Sequence, residues 1–243
     1  NNRDAKVISV SNQPVLAPGE DGAFDDSGCS VGCIIEHNDK TYLYYLGWNL
    51  GVTVPWRNSV GLAVAEKGST QFTRISKAPI LDRSDTDPFT ISYPWVIRQD
   101  GRFIMYYGSN LRWGGKQEDM DHVIKYATSD DGISWKPTGT VCIGLDYEGD
   151  FAIARPCVVK DGALYRMWYS YRGIAYRIGY AESPNAINWT RKDHDVGIDV
   201  SDAGWDAKQI SYAHVFEHNG SWRMLYNGTR YGLTGFGHAI ANF

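Results

Sequence analysis

Pro94-Trp-Val-Ile-Arg-Gln-Asp-Gly101, followed at once by Phe103-Ile-Met-Tyr-Tyr107, decides the fold. A short apolar strand runs into an Asp-Gly pair and leaves it as an aromatic strand. Asp-Gly and Asn-Gly between alternating apolar runs mark a tight hairpin, because a type I′ turn needs positive φ at both central residues. The same plan recurs three times: Cys33-Ile-Ile-Glu-His-Asn-Asp39 with Thr41-Tyr-Leu-Tyr-Tyr45, Pro156-Cys-Val-Val-Lys-Asp-Gly162 with Leu164-Tyr-Arg-Met-Trp-Tyr169, and His214-Val-Phe-Glu-His-Asn-Gly220 with Trp222-Arg-Met-Leu-Tyr226. The turn residues Asp39, Gly101, Gly162 and Gly220 are spaced by 62, 61 and 58 positions. A fixed period of that size is the signature of a repeat architecture.

Each hairpin is followed by a third strand: Ser59–Val64, His122–Ala127, Tyr176–Ala181 and Gly235–Ile240. Two of these lead into turns that deliver a tryptophan to a fourth, outer strand, Ser129-Asp-Asp-Gly-Ile-Ser-Trp135 and Glu182-Ser-Pro-Asn-Ala-Ile-Asn-Trp189. Four antiparallel strands per unit, repeated radially, make a β-propeller. No apolar stripe of helical period appears, so the reading is all-β. It assigns one domain over 1–243, with blades at about 24–80, 81–143, 144–200 and 201–243. Lys6-Val-Ile-Ser-Val10 and Pro14-Val-Leu16 fit an outer strand, within 1–20, of a preceding or closing blade. The blade count is therefore four, or five with most of the first missing from this chain; five is the reading adopted.

Composition narrows the function. The net charge is −4 with no block of like charge, which offers nothing to a phosphate backbone, so no nucleic-acid partner is expected. No apolar run approaches the roughly twenty residues of a membrane span. Nine Trp and sixteen Tyr suit a propeller core, and also a sugar site, where ring faces pack on pyranose C–H faces. Cys29, Cys33, Cys142 and Cys157 read as free thiols, Cys157 lying inside an apolar run, which points to the cytoplasm with secretion left open. The six His are scattered and no second Cys/His pair stands at zinc spacing, so neither metal nor cofactor is indicated. Oligomeric state has no sequence signal here.

The aromatic hairpins and the turn from Ala127 to Trp135 resemble the five-bladed propellers of the invertase, levansucrase, arabinanase and mannoside-phosphorylase superfamily, glycoside hydrolase families 32, 43, 68 and 130. Phe24-Asp-Asp26, Leu46-Gly-Trp-Asn49, Phe151–Cys157 and Gly204-Trp-Asp206 look more closely like a group of uncharacterised bacterial glycosidase-like proteins met among sugar and polysaccharide genes. The resemblance spans essentially the whole chain. It implies a carbohydrate ligand in the funnel and either glycoside hydrolysis or phosphorolysis, with a non-catalytic carbohydrate-binding propeller as the alternative. One fold hosts many functions, so activity has to be argued from the site.

In a propeller the first strand of each blade lines the funnel. An acid recurs just before it, at Asp26, Asp87, Asp150 and Asp206, spaced by 61, 63 and 56. Symmetry predicts that these carboxylates gather about one axis, and hydrolysis needs two flanking the scissile bond. Asp26 and Asp206 are the leading acid/base pair; capping of a turn by each Asp is the competing reading. Hydrolases of the resembled superfamily place carboxylates inside the first strand, where this chain has Ser30 and Val31, Ser92 and Tyr93, Ala154 and Arg155, Ser211 and Tyr212. Ligand-binding candidates are Tyr93, Arg155, Lys208, Tyr212 and His214 on or near the first strands, with Arg57, Arg172 and Arg230 in loops above them. His122 opens a third strand at a solvated or lid-facing position, and Trp48, like Trp56, reads as either a stacking wall or inter-blade packing. Several Arg near one funnel suit an anionic sugar, such as a uronate, a sialic-type acid or a sugar phosphate. Arg155 pairing structurally with Asp150 or Asp206 is the alternative.

Overall fold

The computed structural model describes residues 7–114 and 120–241. The expected hairpins form, and each grows into an antiparallel meander. The first holds β1 (Gly28–His37), β2 (Lys40–Leu50), β3 (Trp56–Glu66) and β4 (Thr73–Arg74). The second holds β5 (Ile91–Gln99), β6 (Arg102–Arg112), β7 (Asp121–Ser129) and β8 (Lys136–Ile143). The third holds β9 (Ala152–Asp161), β10 (Leu164–Arg172), β11 (Tyr176–Ser183) and β12 (Thr190–Arg191), and the fourth β13 (Ser211–His218), β14 (Ser221–Asn227) and β15 (Phe236–Ala241). The chain is a β-propeller of such blades. Its consecutive first strands β1, β5, β9 and β13 lie side by side. The hairpin turns have the anticipated geometry, with positive φ at Asn38 and Asp39, at Asp100 and Gly101, and at Asn219 and Gly220.

The core lies between blades, and period-two alternation along the second strands fills it. Along β6, Phe103, Met105 and Tyr107 point into the wedge shared with the first blade, and Ile104 and Tyr106 into the wedge shared with the third. Along β10, Tyr165, Met167 and Tyr169 face back, while Trp168 faces forward to Ile178, Val215 and Met224. The two turn tryptophans do the same work: Trp135 packs edge-on against Tyr44 of the preceding blade, and Trp189 against Tyr106.

All four cysteines are unpaired, and burial pushes the thiols of Cys33, Cys142 and Cys157 up to about 12. Cys33 and Cys157 occupy matching places, each accepting a 3.1 Å hydrogen bond from a backbone N–H of the next blade, Val96 and Val215 respectively.

The N-terminal expectation needs correction. Lys6 lies outside the described residues, and 7–27 contain no strand. Val7, Ile8 and Val10 are exposed, having no neighbouring strand to pair with. The segment instead lays Leu16 and Phe24 over Leu43, Tyr45 and Ala63 on the outer side of the first blade.

Candidate functional site

Three first strands carry the same bulge. The ladder slips between Ser92 and Trp95, around Arg155 and Pro156 opposite Trp168 and Ser170, and between Ser211 and His214. At each slip one non-glycine residue adopts the left-handed conformation: Tyr93 at φ 45°, Arg155 at 53° and Tyr212 at 61°. Such a backbone costs on the order of 1–3 kcal/mol per residue and persists where the surroundings enforce it, commonly at ligand sites. The bulge re-aims the three side chains toward one another. The Arg155 guanidinium lies 5.0 Å from the ring centres of both Tyr93 and Tyr212, and those rings are 5.6 Å apart.

Above this triad opens a cavity of about 410 Å³, lined by Trp56, Asn58, Ser92, Tyr93, Met120, His122, Ala154, Tyr176, Tyr212 and Tyr231. The tyrosines form one cluster: Tyr212 is 6.2 Å from Tyr176 and 5.9 Å from Tyr231, and Tyr176 is 5.8 Å from Tyr231. Trp113 braces Trp56 edge-on at 5.6 Å. Burial raises the Tyr176 and Tyr212 hydroxyls above the ordinary phenol range, so they face the cavity as neutral donors and acceptors. Burial likewise holds His122 down at about 4, against the opposing pull of Asp121, leaving a neutral imidazole. Below the triad the first strands close on a narrow passage lined by Gly32, Pro94, Trp95, Pro156, Ala213 and His214.

Tyr93, His122 and Tyr212 line the cavity, His122 being covered there and not in a solvated position. Arg155 borders the cavity through two of its tyrosines and pairs with neither Asp150 nor Asp206. Arg172 lies over Phe151 at 5.2 Å and over Tyr176 at 5.6 Å. His214 is on the far side of the triad against Trp95; covering and the Arg155 charge together keep its imidazole below the usual value. Lys208, Arg57 and Arg230 are exposed and line no part of the cavity. Trp48 folds back over Gly28, so Trp56 alone of that pair reaches the site. Trp56, Tyr176 and Tyr231 complete the wall and are not among the leading candidates from sequence. Their strands and loops are recognisable there, but not that three separate connections bring them together.

The recurring acids do not converge on the cavity, and none of the described residues lining it is a carboxylate. Asp26 closes a loop by accepting from the Gly22 N–H, Ser27 Oγ and Asn49 Nδ2; the bonds from Asn49, Ser27 and Gly22 lower its pKa. The true repeat member in that blade is its neighbour Asp25. Asp25 accepts from the Tyr45 hydroxyl at 3.1 Å and is paired with Arg74 at 2.7 Å. Asp87 accepts from Tyr107 at 2.7 Å and Ser109 at 2.6 Å and is paired with Lys125 at 3.0 Å. Asp206 accepts from Tyr226 at 3.3 Å. In the third blade Asp150 pairs with Arg191 at 2.8 Å, while Tyr169 donates to Asp193. These are turn and strand anchors: a buried carboxylate is held by a phenol of its own blade, in three blades with a cation beside it.

The architecture is a β-propeller, a fold that solved glycoside hydrolases share. The protein BT0996, solved as an RGII complex, shares the fold at a TM-score of 0.71, with 21% identity over 92% of this chain and 72% of that one. A thermostable family-43 glycoside hydrolase aligns at 0.67, with 18% identity over 86% and 70% of the two chains. A GH130 protein, from a family of mannoside phosphorylases with hydrolases targeting beta-1,2 mannosidic linkages in Candida mannan, aligns at 0.67, with 17% identity over 95% and 74%. No family model matches the sequence. The chain belongs to the family of the uncharacterised proteins Rv1502 and MT1551 of two Mycobacterium tuberculosis strains, each 46% identical over 235 residues, 97% of this chain and 78% of the relative. Among the described residues no helix is long and apolar enough to cross a membrane.

Proposed function

We propose that this propeller is a glycosidase-like, carbohydrate-active protein that takes its sugar in the cavity walled by Trp56, Tyr93, Tyr176, Tyr212 and Tyr231. The observation that carries the reading is that wall: four tyrosines and a tryptophan around about 410 Å³, with Asn58, Ser92 and His122 interspersed. Flat rings suit the C–H faces of a pyranose, and a few fixed polar groups suit its hydroxyls. The axial position on a fold shared with glycoside hydrolases adds support. Saturation-transfer NMR with a panel of oligosaccharides tests it. Binding should be saturable and should weaken by at least ten-fold in Tyr231→Ala and Trp56→Ala; a panel that shows no binding rejects the proposal.

Hydrolysis is the finer reading. Its candidate carboxylates are Asp206 and Asp26, with Asp87 and Asp150 behind them. Asp206 is the one to test first, since its Oδ1 accepts no hydrogen bond and no ion pair joins it to a cation among the described residues, although it lies off the cavity wall. Sugar release that disappears in Asp206→Asn with the fold intact supports catalysis. Saturable binding without product over long incubation supports a binding propeller.

A further inference from the structure

We infer that the sugar held in this cavity is acidic, its carboxylate drawn to the charge of Arg155 and Arg172. The inference rests on the carbohydrate reading and adds the class of ligand. Arg74, Arg166, Arg177 and Arg191 are partly covered arginines, and each sits on a carboxylate. Arg155 and Arg172 are covered to a similar degree, yet, like Arg223 away from the cavity, their guanidinium groups make no hydrogen bond or ion pair to the described residues; of these three, only Arg155 and Arg172 lie against cavity-wall rings. What they touch are aromatic faces: Tyr93 and Tyr212 for Arg155, and Phe151 and Tyr176 for Arg172.

Aromatic faces offset part of the loss of water around a guanidinium but leave its N–H donors unanswered. Three of those four rings are walls of the cavity. The positive charge therefore lies directly behind the surface a sugar would cover, and no carboxylate among the cavity-lining residues cancels it. Its strength is greatest where water is excluded, which is what a bound pyranose does on a tyrosine wall. The left-handed backbone at Arg155 points the same way: the fold tolerates a strained conformation to hold this side chain on the axis. The charge reaches the cavity through the rings and not as a direct hydrogen-bonding fork, so the assignment is to an acidic sugar held by charge, with a uronate-type acid taken first and a sugar phosphate as the competing arm.

The test is calorimetric titration of the intact chain with three matched ligands, namely hexuronate oligosaccharides, their methyl esters and the corresponding neutral hexose oligosaccharides. Hexose 6-phosphate is the fourth arm. The acid should bind at least ten-fold more tightly than its ester, and the gap should narrow with added salt. Arg155→Met should abolish the gap between acid and ester, and Arg155→Lys should restore only part of it. If Arg155→Met does not fold, Arg172→Gln and the acid-to-ester ratio of the unmodified protein decide. Equal affinity for acid and ester overturns the inference while the carbohydrate reading stands, and tight phosphate binding without uronate binding overturns the carboxylate assignment. No binding of any sugar removes both.

Discussion

The hydroxyl of Tyr106 donates to the backbone carbonyl of Ala186 at 2.6 Å, joining the second strand of one blade to the outer turn of the next across 80 residues of sequence. Tyr44 does the same one blade earlier, reaching the carbonyl of Gly132 at 2.9 Å. Gly132 and Ala186 occupy matching turn positions and both have positive φ, at 73° and 63°. The tyrosine therefore pins the turn that delivers Trp135 or Trp189 to its wedge. Removing the hydroxyl leaves a buried carbonyl without a donor, which costs about 1–3 kcal/mol. Tyr106→Phe should lower unfolding free energy by that amount in chemical denaturation, with the slope against denaturant unchanged. A neutral result would mean that water satisfies the turn.

The Asp87–Lys125 pair makes a second, larger prediction. Their side chains are 2% and 9% exposed, and Lys125 also donates to the carbonyl of Thr86 at 2.9 Å. Breaking a buried ion pair by removing one partner strands a charge and costs about 3–5 kcal/mol. Lys125→Met should destabilise the protein on that scale, and Asp87→Asn in the Lys125→Met background should recover part of the loss. Sugar binding at the tyrosine wall should survive in whichever variant folds, because neither residue lines the cavity. Loss of binding in a folded variant would show that Asp87 acts on the site after all.

The period, the hairpins and the two turn tryptophans are legible in the sequence because they rest on local chemistry: positive-φ turns, and alternation between two buried faces. The partners of the acids are not. Asp25, Asp87 and Asp206 each lie 20 residues before the tyrosine that binds them, Tyr45, Tyr107 and Tyr226. That constant offset is present in the sequence and separates Asp25 from Asp26. Counting acids before each first strand does not make that distinction. Tyr231 is harder to foresee, since it reaches the cavity from a loop at positive φ that has no counterpart among the described residues of the other blades. Position on the first strand finds Tyr93, Arg155 and Tyr212; the bulge that aims them has no sequence signature beyond two prolines.

The residue paired across the ladder with each acid-binding tyrosine supplies a third test. Gly61 faces Tyr45, Gly179 faces Tyr169 and Gly237 faces Tyr226, while Lys125 takes the same place opposite Tyr107. A methyl group at Gly179 would fall 2.4 Å from the Tyr169 ring, on a strand that otherwise tolerates any residue. The ring lies flat over this glycine to reach Asp193. Gly179→Ala should destabilise by about 1–3 kcal/mol through overpacking. Tyr169→Phe should not relieve it, since the clash is with the ring and not the hydroxyl. A fully stable Gly179→Ala would show that the ring can tilt without losing its acid.

His122 makes stability depend on pH, with a sign that follows from its burial. Its folded pKa is depressed to about 4, whereas the unfolded imidazole titrates near 6.5. Between those values the unfolded chain binds more protons than the folded one, so stability rises with pH and falls on acidification through that window. At pH 5 the contribution is a loss of about 2 kcal/mol relative to neutral pH, since the unfolded imidazole is by then almost fully protonated. The carboxylates with lowered pKa, Glu20, Asp26, Asp131 and Glu182, act in the same direction but from ordinary values of 3.8 or 4.5, so they dominate further into acid. His214, also depressed, acts with the same sign. Unfolding free energy measured from pH 7 down to pH 5 should therefore drop in the natural sequence and drop much less in His122→Gln, which keeps a polar amide at the cavity wall. Parallel curves for the two proteins would mean that the folded protein protonates His122 as readily as the unfolded chain does, so that at acid pH its imidazolium would join Arg155 as a charge facing the ligand.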